Sequence, residues 1–336
     1  MRHLATVQRV EEVRPFEGAD RIERVRVGGW WVVVKKGEFA PGDPCVYFEI
    51  DSFLPVRPEF EFLLRGSKKK TMLHEGRERE GIRLKTITLR GQVSQGLALR
   101  PEALGIPKVE TGFDCSEMLD VVKYEPPVPA SIAGVHAGPF PGFIPKTDEE
   151  RIQNRPDLLE TLRGGHFHVT SKLDGTSVTY YRSEGRFGVC GRNFELAESG
   201  GNVFFKLARE RDLPGRLPEG FAVQGECAGE GIQANPLKMR GQDVFVFHVY
   251  DIARREYLEP EPAKRIAADI GLPAVPVVDE DFVLDHTLDE LLALADAPSP
   301  LNPHVRQEGL VFRLKGAPRK ISFKVISNRY LLDHDG

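Results

Sequence analysis

The chain has 336 residues, 40% of them hydrophobic and 29% charged, with 20 Phe, 2 Trp and a formal net charge of -4. That mix excludes collagen, coiled coil and global disorder, and at roughly 100 to 200 residues per domain it predicts two domains. No run of about 18 apolar residues occurs, and Met1-Arg2-His3 leads straight into strand-like sequence, so a cytoplasmic chain with no membrane partner is expected.

Residues 1–125 read as β-rich. His3 to Val13, Arg21 to Val27, Trp30 to Lys36, Val46 to Ile50 and Arg83 to Thr88 are short β-branched or aromatic runs, with turn signals at Gly28-Gly29 and Pro41-Gly42-Asp43. Short strands at this spacing predict a small barrel or sandwich, of which the oligonucleotide-binding (OB) barrel is the common version with a polyanion partner. Trp30, Trp31, Tyr47 and Phe48 read first as core and otherwise as stacking platforms for bases. Residues 61–100 hold ten Lys or Arg against four Glu. The excess marks Arg65, Lys68, Lys69, Lys70, Arg83, Lys85 and Arg90 as either a phosphate-binding surface or a solvated loop.

From Pro126 to Pro145 there are six prolines and three glycines, too much punctuation for a regular element. This stretch is read as a linker between a domain at 1–125 and another at 146–336. Beyond it, Thr147 to Asn154 and Pro156 to Arg163 look helical, as do Asn202 to Arg211, Pro262 to Ile270 and Leu288 to Ala295. Strands are predicted at His166 to Ser171, Ser177 to Arg182, Arg186 to Cys190, Phe221 to Ala228, Val244 to Ile252, Leu310 to Leu314 and Lys320 to Val325. The second domain is therefore α+β on antiparallel sheets. Cys45, Cys115, Cys190 and Cys227 lie far apart with no CxxC pair, the pattern of buried reduced thiols rather than of zinc or disulfides.

Thr170-Ser171-Lys172-Leu173-Asp174-Gly175-Thr176 places a lysine where one strand ends and a turn opens into the next. Burial and a nearby metal ion would lower its pKa from the reference of ~10.4 and free the amine as a nucleophile. Asp174, two residues on, falls on the same side if the extended geometry persists, and Gly175 permits a sharp turn beside a bulky ligand. Alone, K-x-D-G is also the sequence of many surface hairpins. Downstream follow Gly191-Arg192-Asn193, Gln224-Gly225-Glu226, Phe245 to Asp251, Glu308-Gly309-Leu310-Val311-Phe312 and Ser322-Phe323-Lys324-Val325.

In that order these segments resemble the motifs of the covalent nucleotidyltransferases, the superfamily of nucleic-acid ligases and capping enzymes. The pattern is similar most of all to the ATP-dependent RNA ligases, and among them to the Deinococcus-type bacterial template-directed RNA ligases. The likeness includes residues 143–153 (FIPKTDEERIQ) and 322–332 (SFKVISNRYLL). It implies an N-terminal OB-like β-barrel followed by an antiparallel-sheet nucleotidyltransferase domain, an ATP-grasp-like ligase adenylation fold. It also implies that Lys172 attacks the α-phosphorus of ATP to give lysyl-AMP, that AMP passes to an RNA 5'-phosphate, and that a 3'-hydroxyl then seals the break.

The resemblance assigns catalytic roles to Lys172, Asp174, Glu308 and Lys324, with Asp174 and Glu308 holding magnesium or manganese. Thr170, Ser171, Lys172, Gly175, Arg192, Glu226, Phe247, Glu308 and Lys324 would form the nucleotide site. Within it, Lys324 meets the α-phosphate, Glu226 the ribose and Phe247 the adenine. Arg192 and Asn193, with Lys68, Lys69, Lys70, Arg83, Lys85 and Arg90, would face nucleic acid, the expected partner being nicked duplex RNA or an RNA/DNA hybrid met by a monomer. Two positions depart from the pattern: Ser171 stands where related ligases often have an acidic residue, and Ser322 where DNA ligases and capping enzymes have a lysine, with Lys320 the nearest substitute. DNA ligases and capping enzymes also carry a further OB domain for which the twelve residues after Lys324 leave no room. Two other readings are kept: a DNA nick ligase, and a non-catalytic RNA-binding protein, the latter because Phe16 to Ile22 (FEGADRI) is similar to a segment of tRNA-binding barrels.

Overall fold

A computed structural model of the chain describes residues 3–16, 19–107, 109–126, 134–317 and 319–334. It divides into two compact units: Met1–Pro127 with Gln153–Pro156 and Leu331–Gly336, and Val128–Ile152 with Asp157–Tyr330. The middle of the FEGADRI segment lies outside the described residues, as does part of the Pro-rich stretch.

The first unit is built from short antiparallel strands. Ala5–Arg9, Pro44–Phe48 and Leu97–Leu99 form one sheet, Glu12–Pro15, Ile22–Val27 and Trp30–Lys35 a second, and Ser52–Pro55, Arg77–Arg83, Lys70–His74 and Val122–Lys123 a third. Val27 pairs with Trp30 across the two-residue Gly28-Gly29 turn, where Gly28 has φ +55. Gly29 presses on returning residue Gln153, whose Cα would lie 2.5 Å from any added Cβ. Trp30, Tyr47 and Phe48 are buried. The Trp30 Nε1–H donates to Asn154 Oδ1 at 2.9 Å and the Tyr47 hydroxyl to the Gln95 carbonyl at 3.1 Å, so these rings are core. Trp31 lies under the Arg14 and Arg24 guanidinium groups, 4.9 and 4.5 Å from its centroid.

Two strands expected as continuous are broken. His3 to Val13 changes sheet at Val10-Glu11, whose N–H groups turn to the carbonyls of Asp43 and Arg26. Arg83 to Thr88 divides between Arg77–Arg83 and the hairpin Thr86–Leu89/Gln92–Gln95. The basic segment is also partly engaged within its own unit: Lys69 pairs with Glu80 at 3.3 Å, Arg83 with Asp51 at 2.7 Å, and Lys70 lies 5.3 Å from the Tyr124 ring.

The second unit has a seven-stranded sheet, in the order His136–Pro139, Phe194–Leu196, Arg186–Cys190, Thr176–Ser183, Phe221–Gly229, Gln242–Asp251 and Glu256–Tyr257. A four-stranded sheet runs Val277–Val283, His166–Lys172, Gly309–Leu314 and Ser322–Ile326. Every pairing within them is antiparallel. Helices Val203–Glu210 and Pro260–Asp269 bury Phe204, Leu207 and Ala267 against Val223 and Val249 of the larger sheet. Leu288–Ala295, closed by a Thr287–Glu290 capping box, packs with the Phe167, Phe312 and Phe323 cluster of the smaller one.

Three expectations are corrected here. Thr147 to Asn154 is extended, with a single 3-10 turn at Ile152–Asn154, because Glu149 and Glu150 are bound by the strand Ser322–Ile326. Pro156 to Arg163 is helical only over Asp157–Thr161, and the chain then turns at Gly164, φ +76. The Pro-rich stretch does contain a regular element: His136–Pro139 pairs at the sheet edge, where a terminal proline costs no ladder bond. All four cysteines are buried and free, and burial pushes Cys45, Cys190 and Cys227 up to about 12. Among the described residues no helix is long and apolar enough to cross a membrane.

Candidate active site

Strand pairing brings the predicted residues together. Lys172, last in its strand, registers opposite Gly309, which sets Glu308 beside it; Lys172 Nζ donates to Glu308 Oε2 at 2.6 Å. The turn after Lys172 folds tightly onto the neighbouring sheet. A Cβ on Gly175 would stand 2.3 Å from the Cys227 carbonyl, so only glycine allows the approach that carries the turn alongside Glu226. Leu173 anchors the turn in an apolar cluster with Phe245 and Val275, against which Phe247 also packs. Asp174 accepts a 2.6 Å hydrogen bond from the Tyr330 hydroxyl.

The electrostatics differ from the sequence expectation. Burial acts to strip the proton from Lys172, but Glu308, then Glu226 and Asp174, outweigh it and hold the ammonium above the usual lysine value. Burial pushes Glu226 up to about 8, with Lys172 opposing and the charges of Glu308 and Asp174 adding. Burial, then the charges of Lys172 and Arg151, brings Lys324 down to about 7. The lowered lysine of this site is thus Lys324, and Lys172 is its proton-retaining member. Among the described residues no three His, Cys, Asp or Glu side chains come together as a metal site. Asp174 and Glu308, two oxygen donors that act on the same ammonium, are the residues that could hold a magnesium or manganese ion together with water or phosphate oxygens.

The remaining candidates are placed as follows. Arg192, in the bend after Arg186–Cys190, is exposed and pairs with Asp148 at 2.8 Å, and its charge acts on Glu226. Asn193 follows it, half-buried. Phe247 is half-buried beside Phe245, its ring 5.1 Å from His248 in T-shaped contact. Thr170 is half-buried and pairs with Val311. Ser171 is the exception: its buried hydroxyl donates to Gln307 Oε1 at 3.1 Å, on the strand face opposite Lys172, so its side chain is directed into the core and away from the side of Lys172. Lys68, Lys69, Lys70, Arg83, Lys85 and Arg90 belong to the first unit. Sequence reasoning gave no role to Asp148, Glu149, Arg151 or Tyr330, although all four fall within the two quoted end segments; their signal was proximity to the motifs, without any chemistry of their own.

Residues 4–101 match the model of an OB-fold domain, and residues 165–326 that of RNA ligase. The Naegleria gruberi RNA ligase with pyrophosphate is 42% identical, over 100% of this chain and 99% of that one, at a TM-score of 0.90. A glutamate-to-alanine mutant of that ligase with AMP and manganese is 41% identical over 99% of both chains, TM-score 0.91. A lysine-to-alanine mutant with ATP and manganese is 41% identical over 99% of both, TM-score 0.90. No curated protein matches the chain. A nucleotidyltransferase domain behind an OB-fold domain, with a lysine among carboxylates at the sheet ends, defines a polynucleotide ligase. The chain belongs to the RNA ligase family.

Proposed function

We propose that this ligase is ATP-dependent and seals 3'-hydroxyl/5'-phosphate breaks in nicked duplex RNA or RNA/DNA hybrid, in the manner of the template-directed Deinococcus-type enzymes. The observation that carries this reading is Lys172 held 2.6 Å from Glu308, with Asp174, Glu226 and Lys324 acting on the same charge. Support for the nucleotide comes from the Naegleria ligase, seen with ATP, AMP, manganese and pyrophosphate.

Each step is an in-line displacement at phosphorus, so positioning and charge neutralisation do most of the work. Lys172 gives up its proton through Glu308, whose carboxylate accepts from the ammonium at 2.6 Å, since Glu226, held up to about 8, already carries a proton at neutral pH. The neutral amine bonds to the α-phosphorus as the bond to pyrophosphate breaks, leaving lysyl-AMP. Asp174 and Glu308 would hold a divalent ion, which would supply positive charge to balance the phosphates and offset these carboxylates' hold on the ammonium. Lys324, charged below about 7 and re-protonated beside phosphate, neutralises the nucleotide's α-phosphate. Phe247 stacks on adenine, Glu226 receives the ribose hydroxyls, and base selection rests on backbone groups, since the Ser171 side chain faces the core. AMP then passes to the 5'-phosphate, and the 3'-hydroxyl displaces it, with Arg192 and Asn193 at the ends being joined.

Sealing of a nicked duplex with each strand made in turn of RNA or DNA tests this reading. A ribose at the 3' end of the break is expected to be required. Equal sealing from a deoxyribose end would favour a DNA nick ligase, and RNA binding with no AMP transfer a non-catalytic binder.

A further inference from the structure

The segment Pro145–Arg151 lies against both sheets of the second unit. Toward the larger sheet, the Pro145 carbonyl accepts from Gln224 Nε2 at 2.8 Å, the Thr147 and Ser177 hydroxyls lie 3.0 Å apart, and Asp148 pairs with Arg192. Toward the smaller sheet, Glu149 accepts from Lys320 Nζ through one carboxylate oxygen and from the Ser322 hydroxyl through the other. The next carbonyl, of Glu150, accepts from the Lys324 backbone N–H at 2.8 Å, and Arg151 forms a parallel bridge with Lys324. Ser322–Ile326 is an edge strand, and this short run covers its outer side where Lys324 sits.

Glu149 is only 11% exposed, Lys320 16%. A carboxylate so enclosed is stable only with its donors in place, and it fixes their geometry in return. His248 Nε2 lies 4.0 Å from the same oxygen that Lys320 holds, the Lys320 ammonium lies 4.9 Å from the Tyr257 ring, and the Glu149 charge also acts on Arg313. Ser322, at the place of the missing first lysine in the last motif, and Lys320, near it, therefore direct their polar groups to Glu149.

We propose that Glu149 is a positioning residue: held by Lys320 and Ser322, it fixes the Glu150-Arg151 backbone on the edge strand and so sets where Lys324 presents its amine to the nucleotide. The proposal rests on the nucleotide reading of Lys324 given above. The test is a double-mutant cycle on lysyl-AMP formation, measured by single-turnover mixing of the full chain with ATP and manganese. Glu149→Gln is expected to slow adduct formation about tenfold at saturating ATP in the wild-type background, and to add less than about twofold in a Lys324→Ala background, because its effect passes through Lys324. Lys320→Arg, which keeps the ion pair, is expected to retain most of the rate that Lys320→Met loses. Independent, multiplying losses from Glu149→Gln and Lys324→Ala would overturn the proposal, as would a Glu149→Gln rate equal to wild type. Should Glu149→Gln not fold, Ser322→Ala, which removes one donor and no charge, takes its place in the cycle with the same two outcomes and a smaller expected loss of about threefold. If the wild-type chain forms no adduct at all, it is the nucleotide reading that fails.

Discussion

Lys172 and Lys324 show how neighbouring lysines are driven apart by what surrounds them. Both are half-buried, yet the carboxylates of Glu308, Glu226 and Asp174 keep the proton on Lys172, while Lys324, facing Lys172 and Arg151, gives its proton up near pH 7. Affinity for a non-cleavable ATP analogue is expected to weaken as pH rises through about 7, since Lys324, placed at the α-phosphate, is a cation below that value and neutral above it. Lys324→Arg, charged throughout, is expected to flatten the profile. Calorimetric titration between pH 6 and 8.5 checks this, and a wild-type affinity independent of pH would contradict it. Glu226 gives the opposite sign in stability. Its folded value near 8 lies above the ordinary carboxylate range, so the native chain keeps a proton that the unfolded chain has already lost, and stability falls as pH rises from about 4.5 to about 8. Glu226→Gln, permanently neutral, is expected to melt a few degrees higher than wild type at pH 8.5 and with little difference at pH 4. Equal melting at both would count against the charge crowding described here.

Strands and helices differ in how legible they were. The strands of the second unit are readable because they are short runs rich in β-branched and aromatic residues, buried on both faces and bounded by Gly and charged turns, and Leu288–Ala295 is readable because Thr287 and Glu290 announce its start. Thr147 to Asn154 reads as helix because Asp148, Glu149, Glu150 and Arg151 are polar residues bounded by an apolar Ile152. Its extended course is dictated by Lys320, Ser322 and Lys324, far away in sequence, which no local pattern contains. Likewise the K-x-D-G turn was legible as a candidate site, but the proton affinity of its lysine was not, because Glu226 and Glu308 converge on it only through sheet pairing. Two substitutions separate positioning from mere stability at this scale. Gly175→Ala drives a Cβ into the Cys227 carbonyl at 2.3 Å, and is expected to cost about 2 to 3 kcal/mol and to abolish lysyl-AMP formation. Thr287→Ala, which removes an exposed helix cap that touches none of the candidate site residues, is expected to cost about 1 kcal/mol and leave adduct formation unchanged. Denaturant unfolding paired with the adduct assay distinguishes them.

At the scale of the whole molecule, a net charge of -4 coexists with a basic segment at residues 61–100 of the first unit. Not every base in that segment is available to phosphate: Lys69 is paired with Glu80 and Arg83 with Asp51, while Lys68 is exposed. RNA affinity is accordingly expected to fall steeply with salt; Lys68→Ala lowers the log–log slope by about 1, and Arg83→Ala lowers stability more than it lowers the slope. The central claim, however, concerns a single bond. Incubating the intact chain with ATP and manganese and weighing it is expected to show the added mass of one AMP on the wild type, lost with acid as a phosphoramide is, and none on Lys172→Ala. An adduct on the Lys172→Ala chain, or none on the wild type under either manganese or magnesium, would contradict the account.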